Sequence, residues 1–145
     1  MQSKTWGGAR LVHVAVVYKH TKYDLKLDRK VTRIMGDSGT GKTTLATALN
    51  SSNEGVTKVK VLADEEYVAT SMIPAGNQVE FIKNSTNTVF ILDESVSDLL
   101  YKSEVQEAIL SNQTCYFIIL DRCSRIPAME MKLVTENGIH RLKEV

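Results

Sequence analysis

Residues 36–44 read "GDSGTGKTT", and few other nine-residue stretches constrain a chain so strongly. The spacing G-x-x-x-x-G-K-[ST] belongs to a loop that wraps phosphates between a strand and a helix. Gly36, Gly39 and Gly41 let the backbone curl through positive φ and come close to phosphate oxygens. The helix that starts near Lys42 leaves its first N–H groups without intrahelical partners, and its dipole adds partial positive charge there. Lys42 supplies an ammonium toward the β- and γ-phosphates, and Thr43 supplies a hydroxyl to a bridging Mg²⁺. Asp37, Ser38, Thr40 and Thr44 complete the loop, Ser38 and Thr40 chiefly through their backbones. Average residue usage gives a chance match of about half a percent in a chain of this length, so a coincidental glycine-rich turn is the weaker reading.

The surroundings supply the strand and the helix. "KVTRIM" (30–35) runs straight into Gly36, and "KTTLATALNSS" places Leu45, Ala46, Ala48 and Leu49 at helical spacing. Upstream, "LVHVAVVY" (11–18) and "YDLKLD" (23–28) predict strands. Downstream, strands are expected over 56–63, 87–94 and 114–122. Short helices are expected over 64–72 and 76–84, and one or two helical pieces over 95–112. From the P-loop strand onward, strand and helix alternate, which predicts a parallel sheet with helices on its faces. "MEMKLVTENGIHRLKEV" carries two alternating segments about Asn137-Gly138, a hairpin signal. The expected fold is therefore an α/β three-layer α/β/α core with a mainly parallel sheet and antiparallel strands at both ends. All 145 residues form one domain in this reading, with 1–10 as a docking tail or flexible leader.

A phosphate loop also needs a carboxylate at a strand end, near the metal. "VFILDE" ends in Asp93-Glu94 and "FIILDR" ends in Asp121-Arg122. Asp93 is preferred as the metal's acid because Glu94 beside it offers a second carboxylate to take a proton from an attacking water. That choice leaves "YFIIL" as a strand beside the P-loop strand, with Arg122 where a cation can sense γ-phosphate charge.

These residues resemble the P-loop ATPases of the additional-strand, catalytic-glutamate division, which includes AAA-type and ABC-type ATPases. The resemblance covers about residues 31–122 and implies a P-loop NTPase core with sheet order 5-1-4-3-2. It further implies a Walker A loop over 36–43, a Walker B strand over 89–94, and ATP with Mg²⁺ as cofactors. Glu94, Lys42 and Arg122 are then the catalytic residues, and Thr43 and Asp93 hold the metal. No "LSGGQ"-like signature, no guanine-reading "NKxD" and no lid after residue 125 occur. Arg125 is a candidate arginine finger, although a solvated arginine is the simpler reading.

Composition adds bounds. Eighteen Lys and Arg against seventeen Asp and Glu give a formal charge of +1, and no polybasic arm points to a nucleic-acid or membrane surface. Cys115 and Cys123 form no CxxC, and His13, His20 and His140 match no metal-ligand spacing. "MQSKTWGGAR" lacks the apolar stretch of a signal peptide, and the longest apolar runs fall short of a bilayer. The expectation is a cytoplasmic ATPase without membrane insertion, acting with a protein or nucleic-acid partner or as an oligomer. A small-molecule or nucleotide kinase and a nucleotide-gated binding protein with little turnover are the alternatives.

Overall fold

The computed structural model of the protein describes residues 12–35, 44–45, 47–48, 57–71, 73–74, 76–93, 97–120 and 126–145. Two kinds of strand are present, and their sequences separate them. The first kind alternates. β1 (Val12–Tyr18) and β2 (Thr21–Leu27) bury every second residue, including Val14, Val16, Tyr23 and Leu25. β4 (Thr57–Leu62) follows the same rule, with Val59 and Val61 against the core and Lys58 and Lys60 exposed. Such strands keep one face wet and pair antiparallel: β1 with β2 and β1 with β4.

The second kind does not alternate. β3 (Val31–Met35), β6 (Thr88–Leu92) and β7 (Tyr116–Ile119) are buried on both faces and pair in parallel, β3 with β7 and β7 with β6. The short β5 (Val68–Thr70) adds to β6 in parallel. The C-terminal hairpin of β8 (Met129–Glu136) and β9 (Ile139–Glu144) joins the two groups, β8 parallel to β3 and β9 parallel to β2. Its two-residue turn holds Asn137 at φ 52° and Gly138 at φ 79°, the doubly positive pair that a type I′ hairpin requires.

The resulting order is β4-β1-β2-β9-β8-β3-β7-β6-β5, with β4 and β5 touching across the ends. This nine-stranded mixed sheet curls into a nearly closed, barrel-like form. Of the described residues 48% are strand and 22% helix, which overturns the expected three-layer α/β/α core with a mainly parallel sheet. The physical reason lies mainly in two segments. The Val/Lys alternation of "TKVKVL" suits a half-wet strand, so this stretch pairs with β1 and does not return beside β3. The expected helix over 64–72 is not formed either; Val68–Thr70 supplies the strand beside β6.

Two apolar clusters flank the sheet. Inside the curl, Val14, Val16, Leu25, Ile34, Ile91 and Ile118 pack with Leu45 and Ala48, both 0% exposed. Outside, α1 (Gln78–Asn84), α2 (Ser97–Leu100) and α3 (Ser103–Ser111) cover Phe90, Leu92, Phe117 and Ile119, with the Phe90 and Phe117 rings stacked 5.1 Å apart. Asn112 ties this layer together. Its Nδ2 donates to the carbonyls of Ile82 (2.8 Å) and Ser85 (3.0 Å), and its Oδ1 accepts from the amides of Thr114 (3.0 Å) and Cys115 (2.8 Å). Asn112→Ala is expected to lower stability by about 2 kcal/mol in urea unfolding, because it strands buried backbone groups. An unchanged midpoint would remove the knot from the account of stability.

The joint between β2 and β9 is only three residue pairs long, and a carboxylate spans it. Asp24 accepts from Arg141 Nη1 at 2.6 Å and lies 3.1 Å from His13 Nδ1. Partial burial pushes the Asp24 carboxyl up, but the bonds and charges of His13 and Arg141 outweigh it and hold the group below its ordinary 3.8. The unfolded chain therefore takes up this proton first as pH falls. The contribution is whole above the ordinary carboxylate range and is lost as pH drops through the lowered value. Asp24→Asn should narrow the gap between urea midpoints taken at about pH 7 and about pH 3. An undiminished gap would show that the pair adds nothing.

Candidate functional site

Parallel pairing brings the ends of β3, β7 and β6 to one edge of the sheet. Arg33, Ile119 and Leu92 stand in one row across the three strands. The Leu120 amide donates to the Leu92 carbonyl at 2.8 Å, continuing the match past the strand ends. Asp93 therefore leaves β6 level with Ile34, with β7 between them. Two strand spacings, about 9.6 Å, separate these backbones. Gly36 follows in sequence two residues beyond Ile34.

On the far side of the loop, Thr44, Leu45, Thr47 and Ala48 are helical. Thr44 and Thr47 face solvent, while Leu45 and Ala48 are buried against the inner face of the sheet. Burying Leu45 contributes about 2 kcal/mol to holding this helix on the sheet. Strand β3 and this helix thus flank the glycine-rich loop on its two sides. Of the sequence-predicted residues, Thr44 and Asp93 are described, Asp93 half-buried just past β6. Gly36, Asp37, Ser38, Gly39, Thr40, Gly41, Lys42, Thr43, Glu94, Asp121, Arg122 and Arg125 lie outside the described residues. The Tyr116–Ile119 strand pairs in parallel with β3, the neighbour expected for "YFIIL".

Two basic residues near this edge escaped the sequence reading. Arg33, on β3 itself, is buried on the helix-covered face. Its Nη2 donates to the Ile126 carbonyl at 3.0 Å, and its Nη1 lies 3.7 Å from Glu130 Oε2. It fastens β8 and the chain entering it to β3. A lone arginine within "KVTRIM" looks like a solvent-facing position of an alternating strand, so only the largely apolar, fully buried strands β6 and β7 could have signalled its burial. Lys132 is exposed on β8, paired in register with Met35, the last residue before the loop.

Elsewhere, Cys115 is buried, and burial pushes its thiol up, away from nucleophilic or ligand chemistry. An open groove of about 470 Å³ beside α1 is lined by Pro74, Phe81 and Asn84 among others, and by none of the sequence-predicted site residues. No helix among the described residues is long and apolar enough to cross a membrane. Compared with known proteins, the chain matches no family model, and no curated protein matches it.

Proposed function

We propose that the chain binds ATP with Mg²⁺ at this edge and hydrolyses it. The observation that carries the reading is the level placement of Asp93 with the end of the loop-bearing strand, one parallel strand away. A loop that encloses a triphosphate from the end of β3 leaves the metal on the side toward β7 and β6. A carboxylate about two strand spacings off can hold that metal through its waters. Lys42 would neutralise the phosphates, Thr43 would complete the metal shell, and Glu94 would take the proton of the attacking water. Arg122 would answer charge developing on the γ-phosphate. This reading rests on the strand–loop–helix unit and the three parallel strands, not on the overall sheet.

A kinase built on the same loop needs an acceptor site shielded from water. Incubation with γ-labelled ATP, with and without nucleosides and nucleoside monophosphates, separates the two. Hydrolysis predicts label in inorganic phosphate alone. Label in any acceptor would favour the kinase, and no release of label at all would favour a nucleotide-gated binding protein.

A further inference from the structure

The chain as a whole is close to neutral, yet its charge is not evenly spread. β1 lies between β4 and β2, and its outward residues His13, Ala15 and Val17 form a low floor. Lys58 and Lys22 stand level with Val17 on either side. Lys60 is level with Ala15 on one side, and Lys26 is level with His13 on the other. All four lysines are exposed, and the opposite face of each strand is committed to the core, so the ammonium groups stay on this side. The walls are two strand spacings apart, about 9.6 Å, and successive lysines along β4 are about 6.8 Å apart. Asp24, the acid within these rows, already has Arg141 and His13 as partners. The trough therefore presents a surplus of positive charge.

We infer that this lysine-walled trough over β1 binds the sugar–phosphate backbone of single-stranded nucleic acid, without reading its bases. Its width suits one strand rather than a duplex. The floor holds no Phe, Tyr or Trp for base stacking, and its one ring, the His13 imidazole, lies 3.1 Å from the Asp24 carboxylate, so recognition is by charge. An anionic bilayer fits less well. Ala15 and Val17 are too short to insert, Leu62 beside His13 is a single large apolar side chain, and the outside of a curled sheet meets a flat surface along a narrow band. An acidic peptide gains no main-chain pairing here, because β1 is already paired on both edges.

The test is fluorescence anisotropy of the full chain with short mixed-sequence RNA and DNA strands over a range of salt, without nucleotide. Wild-type protein should bind either strand at low salt. Lys22→Glu with Lys58→Glu should weaken binding by about tenfold or more and flatten the log–log salt slope by about 1.4, for two lost phosphate contacts. Lys83→Glu with Lys102→Glu, exposed near the helices, should leave both unchanged. Circular dichroism checks the fold of each variant. If the first pair is unfolded, Lys22→Gln with Lys58→Gln should give the same loss of slope. No binding by wild type, equal losses in both pairs, tighter binding of duplex, or capture only by phosphatidylserine-rich vesicles would each overturn the assignment.

Discussion

Glu94→Gln should bind Mg·ATP as tightly as the parent chain and lose turnover by about 10²- to 10⁴-fold, the span attributed to a positioned general base. The substitution keeps size and hydrogen-bonding capacity but removes the basic oxygen. In the proposed site the water at the γ-phosphate would then have nowhere to send its proton, while the triphosphate would keep the loop amides, the Lys42 ammonium and the metal. Binding and chemistry should therefore come apart in this variant. Single-turnover phosphate release beside equilibrium binding reads both. Undiminished release would take Glu94 out of the mechanism and return attention to Asp121, the other acid at a strand end.

Lys42→Ala should act on the other half of the process. An ammonium facing phosphate oxygens makes a charge-assisted bond worth about 1.5–3 kcal/mol, so its loss should weaken Mg·ATP about ten- to a hundredfold. The main-chain amides of the loop would remain and leave residual affinity. Equal affinity of the two proteins by calorimetry would mean that the triphosphate, if bound at all, does not lie in this loop. Because Asn112 and Asp24 stand on other elements, their substitution should alter unfolding without separating binding from turnover in this way.

The elements on either side of the loop were more legible in the sequence than the overall sheet. A strand running into a glycine-rich loop, an apolar helix after it, and an apolar strand closed by Asp93 are all local signals, and Leu45, Ala48 and β6 follow them. The hairpin at Asn137-Gly138 was equally plain, because two adjacent positive φ values leave few residue choices. What failed was the assumption that strand after helix means parallel return. "VTKVKVLA" already held the contrary signal in its alternating lysines, which a strand buried on both faces does not carry. Its pairing with β1 is a contact between distant parts of the chain, decided by matching wet and dry faces. Neither Arg33's bond to Ile126 nor the lysine walls beside β1 could be read locally, since each requires knowing which strands are neighbours.

Titration of the ¹⁵N-labelled full chain with Mg·ATP, followed amide by amide, bears most directly on the nucleotide site. The largest shifts should fall on Gly36–Thr44 and reach Asp93 at the end of β6, with saturation lost in Lys42→Ala. No shift at all, or shifts gathered in the groove around Phe81 with the loop silent, would contradict the proposed site.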